Sequence, residues 1–586
     1  MVLTWFDYLL VVIFLLVSLY IGLKYKDTAG KSLSDFFLGG KNLPWYIAGI
    51  SMVATTFAAD TPLAVTELVS KNGISGNWIW WNMLTGGMLT VFFFARYWRR
   101  ANVLTELEFI ELRYGGKPAA FLRMFKAVYL GIFINTLVIA WVNLALMSIL
   151  QVFFGIPYNL QLFYVALAMI TAMIYSALGG LKSVAITDVV QFVIAMTGSI
   201  VLAVMVINSD KLGGIAGLKS KLPESSLDFF PSISSVKNAG TGLSLSLGAF
   251  FAFVGIQWWA SWYPGAEPGG GGYIAQRMMS AKNEKHSFLA TFFFQLAHYA
   301  IRPWPWLLVA LAGIVLYPDL PDNQKRLAYV LAIKDFLPSG LKGLVLVSLL
   351  AAYMSTISTQ LNWGASFIVN DIFKRFVKNE NEFTSNNEAQ KNYVLISRIT
   401  TVVIMIISLL VTTQIESISG VWSFLLECGA GLGLVLILRW YWWRINAYAE
   451  ITATFIPFLF YAISKFYLKL DFPESYFFTV GLTTISWLIV SFVTPAESLD
   501  TLKRYVEQVK PAGLWNPIYR KLNLKQPNEK LTYLFIAWIS SVIAIYSVLF
   551  FTGKLIFHEY LNAFIWLIVS IIMFLLMYYT YLKSRV

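Results

Sequence analysis

Charged residues, cysteines and histidines are scarce in this chain of 586 residues. Asp, Glu, Lys and Arg make up 13% of the sequence, whereas hydrophobic residues make up 58%. Soluble globular proteins carry roughly 25% charged residues, so the composition excludes an ordinary soluble domain. The single cysteine, Cys428, excludes an internal disulfide framework. The dispersed histidines, His286, His298 and His558, argue against a His/Cys metal site and against an enzyme built on a cluster of histidines and acids.

Long apolar runs are abundant instead. About fifteen of them reach the length of roughly 18 residues that crosses a bilayer core. Lys and Arg concentrate in the loops on one side of these runs, and the positive-inside rule assigns that side to the cytoplasm. The net charge of +13 therefore indicates membrane topology and not a nucleic-acid partner. We predict a multi-pass plasma-membrane protein embedded in the lipid bilayer, with its N-terminus outside and its C-terminus in the cytoplasm.

The runs indicate one membrane domain over residues 1–586, without a separate soluble part. Residues 1–40 are predicted to hold an N-terminal helix, which is retained because no basic segment or cleavage site accompanies it, and a cytoplasmic loop. Residues 41–445 are predicted to form the core. Residues 446–586 add C-terminal helices, joined by a basic cytoplasmic loop over residues 495–530 that we expect to be solvated.

Two of the apolar runs are interrupted. The stretch VATTFAADTPLAV, residues 53–65, carries Asp60, Thr61 and Pro62, and the stretch FFAFVGIQWWASWYPGAEPGGGGY runs into prolines and glycines. A broken helix at the start of each of two five-helix units is the pattern of inverted-repeat secondary transporters. Backbone groups freed at membrane depth persist only where they line a cavity or bind something. We predict an all-α integral membrane fold with a five-plus-five inverted-repeat core, one extra N-terminal helix and about four extra C-terminal helices.

Four stretches, in order, resemble the motifs of the sodium:solute symporter family. The stretch SDFFLGGKNLPWYIAGISMVAT resembles the entry to its first core helix, and GGLKSVAITDVVQ resembles its Gly-Gly-Leu…Thr-Asp-x-x-Gln signature. The stretch YIAQRMMSAKNEKH resembles the segment after its sixth core helix, and LLAAYMSTISTQLNWGASFIVNDIFKR resembles its eighth. The resemblance extends over about residues 5–445. It implies the leucine-transporter-type fold and cation-coupled uptake of a small organic solute, usually with Na⁺.

The resemblance also implies where the co-transported Na⁺ binds, between the first and eighth core helices. By motif, the predicted ligands are the backbone carbonyls of Ala54, Phe57 and Ala352 and the hydroxyls of Ser355 and Thr356. Oxygen ligands suit a hard cation. Asp188 is predicted to lie on the exit path of the ion or just beyond its direct ligands. Without the resemblance, small hydroxyl residues on a membrane helix are more often explained by helix packing.

The predicted solute site lies at the two broken helices and at two charged positions further along the chain. Its predicted residues are Asp60, Thr61, Gln257, Trp258, Trp259, Trp262, Tyr263, Arg302 and Glu427. Sugar-carrying members of the family have a Glu-Gln pair where this chain has Asp60 and Thr61, which argues against a sugar. A carboxylate at Asp60 and a guanidinium at Arg302 would suit a zwitterion. The alternative is that Arg302 pairs with Asp60 or Glu427, because buried charges usually pair.

These features predict a Na⁺-coupled symporter, not an enzyme, that imports a small organic solute by alternating access around a fixed midplane site. An amino acid or related zwitterion is the favoured solute. A sugar, nucleoside or carboxylate carried by the same fold, coupling to H⁺ through Asp60 or Asp188, and a non-transporting membrane sensor of solute remain alternatives. The oligomeric state and the role of the Pro/Gly-rich insertion 264–272 stay open.

Overall fold

The computed structural model describes residues 4–231, 245–261, 269–415 and 418–584. In this part of the chain, 11 helices are long and apolar enough to cross a membrane, and one bent pair of helices adds a further span. Pairing of the β type is limited there to two isolated bridges. The architecture is therefore the all-helical one that the apolar runs predict.

Ten core helices follow the N-terminal helix Trp5–Lys24. In chain order they are Trp45–Thr55 with Asp60–Asn72 (core helix 1), Ile74–Ala101 (2), Gly116–Phe154 (3), Tyr158–Ile207 (4 and 5), Leu247–Ala260 with Gly272–Ser280 (6), Glu284–Leu316 (7), Leu341–Val377 (8), Asn386–Thr412 (9) and Ile418–Cys428 with Leu432–Tyr441 (10). The C-terminal helices are Ala447–Tyr467, Glu474–Val493, Leu531–Ile556 and Tyr560–Ser584.

Core helices 4 and 5 form a continuous helical segment that changes direction at Gly180, where φ is 57°. Glycine adopts this left-handed conformation at little cost. Residues before and after Gly180 contact the same turn of core helix 8: the Tyr175 hydroxyl donates to the Met354 carbonyl, and the Ser355 hydroxyl donates to Asp188. The chain therefore turns back on itself here, which brings Asp188 to the middle of the core.

Core helix 1 breaks between Thr55 and Asp60, and its two halves meet at 56°. Pro62 lies in the first turn of the second half, where a backbone N–H has no partner within the helix, so the missing donor costs nothing there. The break is held by a tight turn in which the Phe57 N–H donates to the Ala54 carbonyl at 2.9 Å. The sequence prediction of an unwound segment in this run agrees with the structure.

Core helix 6 is also divided. Its first half ends at Ala260, residues 262–268 lie outside the described part of the chain, and its second half is Gly272–Ser280. Gly269, Gly270 and Gly272 have φ values of 83°, 78° and 56°, which glycine tolerates better than other residues. The glycines of the insertion thus supply the backbone geometry that restarts the helix.

The segment 495–530 is not a solvated loop, and the sequence expectation is corrected here. It contains the helices Leu499–Val509 and Asn516–Lys521. The buried side chains of the first helix include Leu502, Tyr505, Val506 and Val509, whose spacing places them on one face. The indole N–H of Trp515 donates to the Trp440 carbonyl at 2.8 Å, which joins the segment to core helix 10. Its basic residues lie on the opposite, solvent-facing side of an amphipathic structure.

Candidate solute and ion site

A buried cavity lies beside the break in core helix 1. The centre of a water-sized sphere can occupy about 90 Å³ of it. Core helices 1, 2, 3, 6, 7, 8 and 10 contribute to its wall. The polar side chains on the wall are Thr55, Thr56, Asp60, Thr61, His298, Arg302, Thr356 and Gln360, and the aromatic ones are Trp80, Trp141, Tyr273, Phe294, Tyr299 and Trp422. Three of the predicted solute residues, Asp60, Thr61 and Arg302, therefore share one cavity.

Asp60 is the first residue of the second half of core helix 1 and is 3% exposed. A carboxylate is favourable at a helix N-terminus, because the free N–H groups there carry partial positive charge. The Trp141 side chain lies within hydrogen-bonding reach of it, and the Arg302 charge attracts it. Its Oδ1 atom is buried and accepts no hydrogen bond from the described residues. Asp60 thus lies on the cavity wall with one carboxylate oxygen that has no donor among the described residues.

Arg302 lies on core helix 7, directly after a π-helical turn at residues 297–301. Its Nη1 donates to the Val53 carbonyl at 2.7 Å, and its Nη2 donates to the Thr56 carbonyl at 2.8 Å. The Thr56 hydroxyl also accepts from Nη1 at 3.0 Å. These acceptors lie at the C-terminal end of the first half of core helix 1, and a positive charge is favourable at the C-terminus of a helix. Arg302 therefore stabilises the break itself, a role that the sequence did not predict.

Replacing Arg302 with Met is expected to lower the free energy of unfolding by roughly 2–5 kcal/mol, because buried carbonyls of the break lose their donors. The thermal unfolding midpoint of the purified protein in detergent measures this loss. Arg302→Lys keeps the charge but cannot donate to both carbonyls at once. Its unfolding midpoint should therefore fall between those of the original protein and of Arg302→Met. An unchanged midpoint for Arg302→Met would contradict the assigned role.

Glu427 does not line the cavity, and its predicted place in the solute site is corrected. Its carboxylate accepts from the Ser475 hydroxyl at 3.0 Å and lies 3.4 Å from Lys465 Nζ. Both partners belong to the C-terminal helices that cover core helix 10. Its charge is therefore compensated outside the core, and it pairs with Lys465 instead of Arg302.

The first half of core helix 6 also contributes no described residue to the cavity. The Gln257 side chain donates to the Ile79 carbonyl at 3.0 Å, and the Trp258 ring packs on Trp538 with centroids 5.5 Å apart. The Trp259 indole donates within its own helix, to the Gly255 carbonyl. The structure thus places these predicted solute residues in packing contacts. Trp262 and Tyr263 lie outside the described residues.

Predicted Na⁺ ligands on core helix 8 lie where this helix meets core helix 1. The Thr356 hydroxyl donates to the Thr55 carbonyl at 2.8 Å and lies 3.4 Å from the Ala352 carbonyl. Thr55 and Thr359 join the two helices further through their hydroxyl oxygens, 3.1 Å apart. Of the predicted ligands, the Thr356 hydroxyl and the Ala352 carbonyl therefore lie at this junction, and Thr356 also lines the cavity.

Asp188 connects this junction to core helices 5 and 6. It accepts from the Ser355 hydroxyl at 2.6 Å and from the Ser51 hydroxyl at 2.5 Å. Arg277 Nη2 lies 3.7 Å from its Oδ2 atom and donates to the Thr359 hydroxyl at 2.8 Å. Asp188 and Arg277 are both fully buried. Asp188 therefore contacts a predicted Na⁺ ligand, Ser355, directly.

The comparisons with known proteins identify the family of the chain. The sequence model of the sodium:solute symporter family matches residues 36–456, which is most of the chain. The chain belongs to the sodium:solute symporter family. It is therefore a multi-pass, Na⁺-coupled transporter of a small solute, and the predicted family and coupling ion are confirmed.

Individual relatives within the sodium:solute symporter family are distant. The chain is 26% identical to the sodium/glucose cotransporter of Vibrio parahaemolyticus over 85% of its own length and 92% of the relative's. It is 24% identical to the sodium/proline symporter of Staphylococcus aureus over 75% and 81% of the two chains. The solved structure of a Na⁺-coupled sialic acid symporter superposes with a TM-score of 0.65 at 19% identity, covering 84% of this chain and 99% of that one. This likeness confirms the leucine-transporter-type fold.

Proposed function

We propose that this transporter imports a solute with an ammonium group, of the amino acid or related zwitterion class, together with Na⁺. The observation that carries the proposal concerns Asp60, a residue of the cavity wall, whose buried Oδ1 atom accepts no hydrogen bond from the described residues. A buried carboxylate in a membrane protein requires a cationic partner. An ammonium group supplies both the charge and the N–H donor.

A second acceptor on the wall supports the same solute chemistry. Gln360 is 1% exposed, lines the cavity, and has an Oε1 atom without a hydrogen-bond donor among the described residues. It follows Thr356 by one helical turn on core helix 8, so both face the cavity. Two acceptors favour a head group with several N–H donors. The surrounding indoles of Trp80, Trp141 and Trp422 can contact a cation through their ring faces.

Arg302 and His298 supply the electropositive part of the same wall. A zwitterion with its ammonium at Asp60 would turn its carboxylate toward this part. Because the donors of Arg302 already serve Val53 and Thr56, its contribution to a carboxylate is chiefly long-range attraction. A sugar or a solute with only a carboxylate would bring Asp60 no positive charge beyond the one that Arg302 already supplies.

Na⁺ is proposed to bind the carbonyls of Ala54, Phe57 and Ala352 and the hydroxyls of Ser355 and Thr356. Thr356 supports coupling, since it belongs to this set and to the cavity wall. We further propose that the chain lies in the plasma membrane with its N-terminus outside and its C-terminus in the cytoplasm, so that uptake is inward. Asp188 would receive the ion on its way to the cytoplasm.

Thermal stability of the purified protein tests the proposal. A solute panel of amino acids, other amines, sugars, nucleosides and carboxylates is added with Na⁺, or with K⁺ as the matched control. A ligand at a hundredfold excess over its Kd stabilises the folded state by about 2.7 kcal/mol. We expect an amino acid or amine to raise the unfolding midpoint only when Na⁺ is present.

Other outcomes of the panel separate the parts of the proposal. A Na⁺-dependent shift with a sugar, nucleoside or simple carboxylate would reject the ammonium assignment while keeping the coupling. A midpoint that responds to solute in Na⁺ and K⁺ alike would contradict the proposed Na⁺ site.

A further inference from the structure

The second half of core helix 6, Gly272–Ser280, contacts three functional regions. Tyr273 lines the cavity, and Arg277 lies 3.7 Å from Asp188 beside the proposed Na⁺ site. At the start of the helix, the Gly272 N–H donates to Glu106 Oε2 at 2.7 Å. Glu106 belongs to the connection between core helices 2 and 3. A single carboxylate thus holds the end of a short helix that contacts both the solute cavity and the ion side.

The second oxygen of Glu106 has no such bond. Glu106 is 8% exposed, and its Oε1 atom is buried without a hydrogen-bond donor among the described residues. It faces a small cavity whose wall includes Lys126 and Arg439. Both of these cations pair with Glu450: Arg439 Nη1 lies 3.0 Å from the Oε1 atom of Glu450, and Lys126 Nζ pairs with the same oxygen. The carboxylate therefore has one partner on the half-helix and two positive charges opposite.

We propose that Glu106 is a positioning residue that latches the half-helix Gly272–Ser280 closed, and that it moves toward Lys126 and Arg439 when the cavity opens on this side of the membrane. Gly269 and Gly270 precede the latched residue with left-handed backbone, and glycine rotates there at low cost. The half-helix can therefore pivot at its start. The side of the membrane on which Glu106 lies carries the basic loops. It is the cytoplasmic side in the orientation proposed above, and the inference that the latch opens toward the cytoplasm rests on that orientation.

The protonation of Glu106 gives the latch a distinct pH signature. Burial raises the pKa of Glu106 to about 7, although the Gly272 N–H, Arg439 and Lys126 act to lower it; Asp371 raises it further. Glu450 pairs with both Lys126 and Arg439. In an open state the carboxyl regains water, and its pKa returns to about 4.3. The closed state then binds the proton more tightly, so opening releases it. Between pH 6 and pH 8 the ratio of open to closed forms should rise about tenfold.

The test is the reactivity of a cysteine at position 275 on the half-helix. Ala275 is fully buried, so Ala275→Cys in a Cys428→Ser background reports displacement of the helix. Sealed vesicles of both orientations are treated with a membrane-impermeant maleimide at pH 6 and pH 8. A cysteine at exposed Asn387, in the first turn of core helix 9, identifies the side that carries the basic loops. Its labelling rate at the two pH values also gives the pH dependence of the reagent itself.

The two substitutions of Glu106 should act in opposite directions. Glu106→Ala removes the acceptor of Gly272 and should raise the labelling rate at least tenfold at both pH values. Glu106→Gln keeps that acceptor but cannot ionise. Its labelling rate, divided by the rate of Asn387→Cys at the same pH, should therefore stay low and equal at pH 6 and pH 8. The unmodified Glu106 background should label about tenfold faster at pH 8 than at pH 6, from the side on which Asn387→Cys reacts.

The matched control is Glu111→Ala. Glu111 lies in the same connection but pairs with Arg123 and Arg375, not with the half-helix, so its loss should leave the rate unchanged. Equal acceleration by the Ala and Gln variants of Glu106 would indicate a merely structural role and overturn the proposal. An unchanged rate for both would also overturn it. Labelling of Asn387→Cys from the face of the membrane that is outside in the cell would reject the proposed orientation alone. If Glu106→Ala does not fold, the pH profile of Glu106→Gln still decides.

Discussion

Asp60→Asn should reduce Na⁺-driven solute uptake at least about 100-fold while the protein stays folded, because a loss of roughly 3 kcal/mol in binding corresponds to that factor. Asparagine has nearly the same shape and keeps an acceptor oxygen in the cavity. It lacks the negative charge, and hydrogen bonds between charged groups are about twice as strong as neutral ones. An ammonium group brought to position 60 would then be buried without a counter-charge, which is costly at membrane depth.

Uptake into proteoliposomes under an imposed Na⁺ gradient measures this loss, with the solute that the stability panel identifies. Glu427→Gln is the matched control, since Glu427 is a second buried acid whose partners, Lys465 and Ser475, lie outside the cavity. It should transport at close to the original rate. Normal uptake by Asp60→Asn, or equal losses in the two variants, would contradict the assignment. Uptake that ignores Na⁺ and follows a pH gradient would instead support coupling to H⁺.

The fold was predictable from the sequence because its signals are local. Bilayer thickness sets the length of each apolar run, and the break in core helix 1 follows from Pro62 and the acid beside it. Asp60 and Arg302 were equally visible, because a charge in an apolar run is conspicuous. The partners of Arg302 were not, since the carbonyls of Val53 and Thr56 carry no signature in the sequence.

The face of core helix 6 was harder to predict. Gln257, Trp258 and Trp259 follow a polar and aromatic pattern, but residues 252–257 form a π-helical turn. A π-helical turn inserts one residue into the helix and rotates all that follows by about 100°. Spacing alone therefore could not tell which of these side chains would face the cavity.

Two further differences had signals that could have been used. Gln360 follows Thr356 by four residues, and residues at that spacing share a helix face, so a polar neighbour of the predicted ion site was detectable. The spacing of Leu502, Tyr505, Val506 and Val509 already described an amphipathic helix in the segment treated as solvated. The partner of Glu427 had no such signal, because Lys465 lies on a separate C-terminal helix.

Removal of the two adjacent hydroxyls on core helix 8 should abolish the response to Na⁺. Thr356→Val keeps the shape of threonine without its oxygen, and Ser355→Ala removes the group that donates to Asp188. Loss of one interaction with a charged group costs about 1.5–3 kcal/mol, so each single variant should require roughly 10- to 100-fold more Na⁺ for half-maximal stabilisation. The double variant should show no shift of the unfolding midpoint with Na⁺.

Thr356→Ser is the matched control, because it keeps the hydroxyl that donates to the Thr55 carbonyl and should respond to Na⁺ nearly as the original protein does. All variants are compared by thermal unfolding in Na⁺ and in K⁺, so that a general loss of stability is separated from a loss of ion binding. Because Thr356 also lines the cavity, the solute should stabilise Thr356→Val less than Ser355→Ala even at saturating Na⁺. A double variant with an undiminished Na⁺ response would locate the ion elsewhere in the same fold, and coupling through the junction of core helices 1 and 8 would have to be abandoned.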